Sequence, residues 1–184
     1  MEHLHPSDDS LKRAAQTLKS GGVVIFPTET VYGVGARASD EKAIKRIYDI
    51  KKRSLDKPLQ ILIADLEQAE SLALDISLKA RELMKKHWPG PLTLVFKSAS
   101  GGSVGIRMPK HDWLLKLIKK TGPLAATSAN LSGEPEPVSA QEVKIEADLL
   151  IDGGKCKLGE ASTVVDVSVD PPLILREGRL KGLV

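Results

Sequence analysis

Residues 21–35 have the sequence GGVVIFPTETVYGVG, in which an apolar run is followed by a polar segment. Its apolar run from Val23 to Phe26 is short, rich in β-branched residues and bounded by glycine and proline, which predicts a buried strand. Before it, apolar residues recur at helical spacing after Ser7, a candidate N-cap, and Gly21-Gly22 ends the predicted helix. The remainder, residues 27–35, fits neither the helical nor the strand period and is predicted to be a loop. A helix that leads into a buried strand indicates an α/β protein.

The rest of the chain repeats this alternation of helices and strands. Further helices are predicted from a cap at Ser39 to residue 50, and over residues 76–88, 111–120 and 139–146. Further strands are predicted over residues 59–64, 92–96, 104–108, 124–127, 149–151, 162–168 and 173–176. His3 and His5 are expected in a frayed N-terminus. At roughly 150 residues per domain, we expect a single α/β domain over residues 1–184, with helices flanking a mixed sheet.

The composition of the 184-residue chain is that of a globular protein, with 41% hydrophobic and 28% charged residues. It excludes the disordered, collagen-like and disulfide-scaffold classes. Aromatic residues make up only 3% of the chain, so an aromatic platform that stacks single-stranded bases is not expected. No apolar run approaches the roughly 18 residues that span a bilayer, and the N-terminus has no leader pattern. We therefore expect a cytoplasmic protein without a membrane partner.

The net charge of +3 conceals a segregation of charge along the sequence. Residues 42–57 contain seven basic and two acidic residues, and residues 107–120 contain five basic and one acidic, so the two stretches sum to +9. The rest of the chain therefore sums to −6. Segregated positive charge attracts phosphate-bearing ligands. A solvated, lysine-rich helix face explains the same pattern without a ligand, and both interpretations stay open at this point.

Several motifs of known chemistry are absent or incomplete. The sequence GVGARA at residues 33–38 resembles a dinucleotide fingerprint, but a proline and a polar loop separate it from the preceding strand. The chain contains no P-loop motif, no HExxH zinc motif and no GxSxG nucleophile elbow. The four histidines lack metal-ligand spacing, so no metal ligand from the protein is predicted. The single cysteine, Cys156, lies between lysines that could lower its pKa, but a bystander thiol is favoured.

Two polar segments remain as candidate binding sites. KKRSLDKPL at residues 51–59 ends a helix and enters a strand, and AATSANLSG at residues 125–133 ends a strand in hydroxyls, an amide and a glycine turn. Arginine can grip phosphate oxygens with two donors, whereas lysine acts as a mobile point charge. Because Lys51 and Arg53 are two residues apart, the helix must end near them if both are to reach one ligand. Each segment alone also fits a purely structural role, as a helix end or a turn.

The two segments together resemble a known family. Lys51-x-Arg53 and Ser128-x-Asn130, with PTETVYGVG at residues 27–35, are similar to the signature of the Sua5/YciO/YrdC family. Shorter motifs follow in the order that the family shows: WPGPLT at 88–93, IRMP at 106–109, STVVD at 162–166 and LREG at 175–178. The resemblance covers about residues 10–178, and the length is similar to the family's short, single-domain form.

The resemblance implies both a fold and an activity. The fold would be a twisted α/β sheet around a basic concave cavity. The activity would be that of a nucleotidyltransferase, which makes threonylcarbamoyl-AMP from L-threonine, bicarbonate or CO2, and ATP carrying Mg²⁺, and releases pyrophosphate. In the family, the product serves the threonylcarbamoylation of an adenosine in tRNA. The implied partners are therefore the downstream tRNA threonylcarbamoyl transferase machinery and RNA itself.

The resemblance also implies a set of site residues. Thr30 and Ser162 would hold threonine. The nucleotide and its phosphates would be held by Lys51, Arg53, Lys57, Thr93, Ser128, Asn130 and Arg176, and Arg107 would add charge to the cavity. No protein nucleophile is implied, because a carbamate oxygen of the substrate attacks the α-phosphorus, and positioning with charge neutralisation suffices for that step.

The sequence departs from the family pattern at several positions. Ser54 stands where many relatives have proline, and Leu62 stands near a position where longer relatives have a histidine, within the expected threonine pocket. Glu134 and Glu136 place carboxylates in a loop where relatives often carry serine. Carboxylates beside a triphosphate are costly unless they face solvent or a metal.

Two other functions fit the same sequence. A non-enzymatic module for double-stranded RNA or tRNA would use the basic cavity to hold a duplex backbone, and its affinity would fall steeply with salt. A YciO-like paralogue would share the motifs and act on a different substrate.

Overall fold

The computed structural model describes residues 1–183 and has one continuous mixed sheet of ten strands. The strands are β1 (Glu2–Leu4), β2 (Val24–Phe26), β3 (Gly33–Arg37), β4 (Gln60–Leu62), β5 (Leu92–Lys97), β6 (Ser103–Arg107), β7 (Leu124–Ser128), β8 (Leu149–Ile151), β9 (Thr163–Asp166) and β10 (Leu173–Arg176). The helices are α1 (Asp8–Lys19), α2 (Glu41–Lys51), α3 (Leu66–Leu72), α4 (Leu78–His87) and α5 (Asp112–Thr121), with a 3-10 turn at Ala140–Glu142. The single α/β domain predicted from the sequence is confirmed.

The strand order in the sheet is β1-β8-β2-β3-β7-β4-β6-β5-β9-β10. Parallel pairs, such as β4 with β6 and β5 with β9, occur beside antiparallel pairs, such as β3 with β7 and β7 with β4. Because β7 lies between β3 and β4, Ser128 pairs with Gly33 and Ala126 pairs with Gln60. This register brings the two polar segments, residues 51–59 and 125–133, to the same part of the sheet.

One half of the sheet, formed by β1, β8, β2, β3 and β7, is covered by helices on both faces. In β2, Val24 and Phe26 belong to a core cluster with residues of α1 and α5. Their neighbours Val23 and Ile25 belong to a separate cluster with residues of α2. Successive side chains of a strand point to opposite faces, so this short apolar run supplies both cores at once.

The other half of the sheet, formed by β4, β6, β5, β9 and β10, is packed by helices on one face. Leu92, Leu94 and Phe96 of β5 belong to a core cluster with residues of α3 and α4. The alternate residues Thr93 and Val95 point to the opposite face, where they line a cavity. The fold therefore leaves one face of this half-sheet open for a ligand.

Residues 33–35 belong to β3, so the prediction of a loop there was wrong. A Cβ atom at Gly33 or Gly35 would come within 2.9 or 3.0 Å of the Phe26 ring, so glycine lets β3 lie against that side chain. The strand pattern in a sequence depends on alternating side chains, and these glycines have none. The pairing of β3 with β2 and β7 is what makes this segment a strand.

Other boundaries also differ from the sequence prediction. Asp40, not Ser39, is the N-cap of α2, and its carboxylate accepts a hydrogen bond from the third residue of the helix. The helix predicted over residues 139–146 is reduced to the 3-10 turn, and α3 was not predicted. The N-terminus is not frayed, because His3 lies in β1, which pairs with β8. None of the helices within residues 1–183 has the length and apolar character of a membrane-spanning segment.

Gly178 allows a close approach between the segment after β10 and the start of β9. A Cβ atom there would lie 2.4 Å from the carbonyl oxygen of Ala161 and 2.6 Å from that of Ser162. We expect Gly178→Ala to lower the free energy of unfolding by about 2 kcal/mol or more, because the added methyl must displace main chain. Urea denaturation followed by circular dichroism measures this loss.

The matched control is Gly105→Ala in β6. A Cβ atom at Gly105 would meet its nearest neighbour, a methyl group of Thr93, at 3.5 Å, which is an ordinary contact. Its free energy of unfolding should change by less than about 0.5 kcal/mol. Equal losses for the two variants would contradict the close approach at Gly178.

Candidate active site

A cavity of about 670 Å³ lies on the open face of the half-sheet, between the loop after β7 and strand β10. Five basic side chains line it, Lys51, Arg53, Lys57, Arg107 and Arg176, with two acidic side chains, Glu134 and Glu136. Thr93, Ser128, Asn130 and Ser162 line it as well. The sequence-predicted residues are thus brought together from distant parts of the chain, except Thr30, which lies behind the wall. The excess of positive charge favours an anionic ligand.

The helix α2 ends where it must if Lys51 and Arg53 are to reach one ligand. Its last residue is Lys51, and Lys52 takes a left-handed conformation with φ 51° and ψ 44°. This change of direction lets Lys51 and Arg53 reach one cavity, although they are only two residues apart. The same loop places Lys57 at the rim, where it is exposed.

In Arg53 and Arg176, main-chain oxygens accept hydrogen bonds from one edge of the guanidinium and leave the other edge free of hydrogen bonds within residues 1–183. In Arg53, Nε donates to the main-chain oxygen of Lys57 (2.8 Å) and Nη2 to that of Pro58 (3.2 Å). In Arg176, Nη2 donates to the main-chain oxygen of Ser162 at 2.9 Å. The Nη1 atom of Arg53 has no hydrogen bond to residues 1–183, and that of Arg176 lies 3.9 Å from Glu136. Guanidinium groups held in this way can present their remaining N–H donors to phosphate oxygens at little entropic cost.

Arg107 is anchored more deeply, by a buried ion pair. Its Nη2 donates to Glu29 Oε1 at 2.7 Å and to Thr30 Oγ1 at 2.9 Å, and its Nε donates to the main-chain oxygen of Gly90 at 3.2 Å. The side chains of Arg107 and Glu29 are 3% and 7% exposed. The second carboxylate oxygen of Glu29 is buried and has no hydrogen-bond partner in the described part of the chain. The pair therefore forms part of the wall, with Arg107 as its cavity-facing member.

Thr30 does not contact the cavity itself, but its hydroxyl holds Arg107, which does. It is fully buried and does not line the cavity. Its hydroxyl lies 2.8 Å from that of Thr28, and the Thr28 hydroxyl donates to the main-chain oxygen of Val31, also at 2.8 Å. With that proton used, the Thr30 hydroxyl donates to Thr28 and accepts from Arg107. A role for Thr30 in holding threonine stays a prediction.

A chain of hydrogen bonds crosses the cavity floor from β4 to β10. Thr93 Oγ1 donates to Gln60 Oε1 at 2.8 Å, and the hydroxyls of Thr93 and Ser162 lie 2.9 Å apart. Arg176 Nη2 approaches the Ser162 hydroxyl at 3.3 Å. Because the Thr93 hydroxyl donates its proton to Gln60, the Ser162 hydroxyl donates to Thr93 and accepts from Arg176. The hydroxyl orientations are therefore fixed before any ligand arrives.

Lys51 is the most buried of the five basic side chains, at 1% exposed. Its Nζ atom contacts the main-chain oxygens of Ser128 and Asn130, both at 2.5 Å, and Asn130 Oδ1 at 3.2 Å. Burial lowers the pKa of Lys51 to about 8, with Arg53 acting in the same direction and Glu136 opposing both. The amine is still protonated at neutral pH, and its charge faces the loop after β7.

The departures from the family pattern lie in three different settings. Glu136 lines the cavity beside Arg176, while the Glu134 carboxylate lies 3.5 Å from Lys144 Nζ. Both carboxylates therefore have a cationic neighbour.

The other two departures lie outside the cavity lining. Leu62 is buried in the core cluster that contains α5, away from the cavity lining. Ser54 is exposed and hydrogen-bonds Asp56.

Cys156 is a core residue with no role in the cavity. It is 6% exposed and packs in the cluster that contains α2. Burial raises the pKa of Cys156 to about 11, which outweighs any effect of the neighbouring lysines. The preference for a bystander thiol agrees with this environment.

Two residues that shape the cavity, Glu29 and Gln60, were not predicted from the sequence. Gln60 is a polar residue within the apolar run LQILIA at residues 59–64, and that interruption of a buried strand was a usable signal. Glu29 lies between two threonines in a segment that is buried throughout. Its importance depends on Arg107, which is 78 residues away in sequence, so no local pattern marks it.

The fold and the cavity are typical of an α/β protein that takes an anionic ligand on one face of its sheet. The chain belongs to the Sua5/YciO/YrdC family: the family model, described as telomere recombination, matches residues 16–178. The resemblance stated from the motifs is confirmed.

Curated relatives and solved structures agree with this placement. The threonylcarbamoyl-AMP synthases of Pyrococcus abyssi and Bacillus subtilis are 47% and 42% identical, over 92% and 96% of this chain and 54% and 56% of their own lengths. The chain thus spans about half the length of these relatives. Sua5 of P. abyssi complexed with L-threonine matches at 44% identity and a TM-score of 0.89, covering 96% of this chain and 57% of that one. Escherichia coli YciO matches at 26% identity and a TM-score of 0.82, covering 96% and 94%.

Removing Glu29 tests the buried ion pair. Glu29→Ala leaves the Arg107 guanidinium buried without a counter-charge, and breaking such a pair costs about 3–5 kcal/mol. We expect a loss of free energy of unfolding in that range in urea denaturation. The control is Glu70→Ala, which breaks the exposed Arg81–Glu70 pair and should cost less than about 1 kcal/mol. A loss for Glu29→Ala no larger than that of the control would rule out the structural role of the pair.

Proposed function

We propose that this chain is a threonylcarbamoyl-AMP synthase, a nucleotidyltransferase that uses L-threonine, bicarbonate or CO2, and ATP. The observation that carries the proposal is the convergence of Lys51, Arg53, Lys57, Arg107 and Arg176 on one cavity. Relatives that are 47% and 42% identical carry the name of this enzyme, and a solved family member is complexed with L-threonine. Because the chain spans about half of these relatives, the activity of the isolated chain needs a direct test.

The proposed reaction needs positioning and charge neutralisation more than a protein nucleophile. The amine of L-threonine adds to CO2 and loses a proton, which gives a carbamate. Where bicarbonate supplies the CO2, it takes up that proton and releases water. One carbamate oxygen then attacks the α-phosphorus of ATP. The bond from that phosphorus to the bridging oxygen breaks, and pyrophosphate leaves. Negative charge grows on the leaving group, and fixed N–H donors stabilise it where it develops.

We assign the nucleotide to the part of the cavity lined by Arg53, Lys57 and Arg176. The free donors of the two anchored arginines suit phosphate oxygens, and Lys57 adds a mobile charge at the rim. Thr93, Ser128, Asn130 and Lys51 complete this part of the lining. Threonine would lie towards Ser162 and Arg107, where the guanidinium of Arg107 can pair with its carboxylate. Thr30 would support threonine through Arg107.

The carboxylates at the cavity fit a magnesium ion that enters with ATP. Mg²⁺ prefers oxygen ligands and is usually held by one or two carboxylates together with substrate phosphates and water. Glu134 and Glu136 line the cavity and could supply such oxygens. Within residues 1–183 there is no group of three or more acidic, histidine or cysteine side chains that could hold the ion alone. Bound Mg²⁺ would neutralise the triphosphate and offset the charge of the two carboxylates.

The product would pass to a tRNA threonylcarbamoyl transferase, since threonylcarbamoyl-AMP is an activated mixed anhydride of use only as a donor. Exposed lysines on α2 and α5, including Lys45 and Lys116, would give the chain an affinity for RNA that falls as the salt concentration rises.

The proposed activity predicts pyrophosphate release that depends on every substrate. The purified chain, given ATP, Mg²⁺, L-threonine and bicarbonate, should release pyrophosphate, and omitting threonine should stop the release. A coupled pyrophosphate assay with mass-spectrometric detection of the product measures both. ATP turnover with another amino acid but not with threonine would favour a YciO-like function. Absence of nucleotide binding, with salt-sensitive binding of duplex RNA, would favour the RNA-binding module.

Replacing Arg53 tests the nucleotide assignment. We expect Arg53→Ala to raise the dissociation constant of ATP by about tenfold to a hundredfold, because hydrogen bonds to charged groups contribute about 1.5–3 kcal/mol. Isothermal titration calorimetry measures this change, and circular dichroism checks that the fold is intact. Lys45→Ala, on the exposed face of α2, removes one positive charge outside the cavity and should leave the affinity unchanged. An unchanged ATP affinity for Arg53→Ala would refute its assignment.

A further inference from the structure

The ammonium of Lys51 has no free donor in this structure. A lysine ammonium has three N–H groups and no acceptor. Three oxygens surround Nζ: the main-chain oxygens of Ser128 and Asn130 and the side-chain oxygen of Asn130. Arg53 and Arg176, by contrast, each keep a guanidinium nitrogen that no hydrogen bond to residues 1–183 occupies. Lys51 is thus fully coordinated by protein, although it belongs to the same motif as Arg53.

These contacts converge on the turn at the end of β7, which begins at Ser128 and includes Asn130. The main-chain N–H of Ser132 also donates to the main-chain oxygen of Lys51 at 3.0 Å, so the side chain and main chain of one residue hold both parts of the turn. Asn130 closes the turn from inside, since its Nδ2 donates to the main-chain oxygen of Glu134 at 2.6 Å. Several carbonyl oxygens pointing at one buried position repel one another unless a cation lies between them. The Lys51 ammonium supplies that cation.

We propose that Lys51 is a positioning residue that holds the Ser128–Asn130 turn in its binding shape, rather than a ligand of the substrate phosphates. The inference deepens the proposed function and rests on it for the identity of the ligand. The dependence of the turn on the Lys51 ammonium is a property of the free protein, so it can be measured without any ligand. A direct contact with phosphate would require Nζ to release a buried carbonyl, which would then lack a donor. Arg53 and Arg176 can contact phosphate through Nη1 without breaking any hydrogen bond that they already make.

Hydrogen exchange in the absence of nucleotide tests the dependence of the turn on Lys51. We expect Lys51→Met to speed amide exchange over residues 128–134 by about tenfold or more, because the carbonyls of the turn lose their shared donor. The matched control is Lys57→Met, which removes a cavity lysine that holds no such turn and should leave exchange there unchanged. Both variants should bind ATP more weakly. Wild-type exchange over residues 128–134 in Lys51→Met, together with weakened ATP binding, would overturn the proposal and make Lys51 a direct ligand.

A second measurement uses the wild-type protein, in case Lys51→Met does not fold. NMR couplings across hydrogen bonds should connect Lys51 Nζ to the carbonyl carbons of Ser128 and Asn130. Adding pyrophosphate or α,β-methylene-ATP should leave these couplings in place while the Arg53 guanidinium signals shift. Loss of the couplings on adding either compound would overturn the proposal. If neither compound binds, the proposed function fails, whereas the exchange result in the free protein still decides the role of Lys51 in the turn.

Discussion

The buried ion pair between Arg107 and Glu29 is the contact on which the cavity wall depends. A carboxylate and a guanidinium tolerate burial only when they are paired and hydrogen-bonded, so the loop that carries Glu29 must lie against β6. The same loop is tied elsewhere by main-chain bonds: Leu158 N–H donates to the Glu29 carbonyl at 2.8 Å, and Tyr32 N–H donates to the Pro137 carbonyl at 2.8 Å. The loop held by the pair is therefore also bonded to the segments after β7 and before β9.

The cavity follows from the uneven covering of one sheet. Where helices cover both faces, a strand such as β2 supplies apolar side chains to each face. Where α3 and α4 pack on one face, β5 alternates between leucine or phenylalanine in the core and Thr93 or Val95 in the cavity. Main-chain carbonyls around this open face hold one edge of Arg53 and Arg176. The site is thus largely preorganised, which lowers the entropic cost of binding a flexible triphosphate.

Local sequence patterns predicted the elements that carry a clear local signal, and failed where distant parts of the chain decide. The run from Val23 to Phe26 is apolar, β-branched and bounded by glycine and proline, so its strand was predictable. The strand at Gly33 also depends on its pairing with β7, which lies far outside any local window of sequence. The motif pairing of Lys51-x-Arg53 with Ser128-x-Asn130 correctly placed both segments at one cavity. The motif could not show that Lys51 uses all its donors within the protein whereas Arg53 keeps some free. The three oxygens that accept from Lys51 belong to residues 77 and 79 positions away in the sequence.

The segregated charge of the sequence divides in the structure into two populations. Lys51, Arg53, Lys57 and Arg107 line the cavity, whereas many of the other lysines in the two basic stretches are exposed. A crystal structure of the chain with α,β-methylene-ATP and L-threonine would show directly which side chains hold each ligand. We expect phosphate oxygens within hydrogen-bond distance of Arg53 and Arg176, and the threonine carboxylate beside Arg107. Nucleotide bound outside this cavity, or phosphates that contact neither Arg53 nor Arg176, would contradict this expectation.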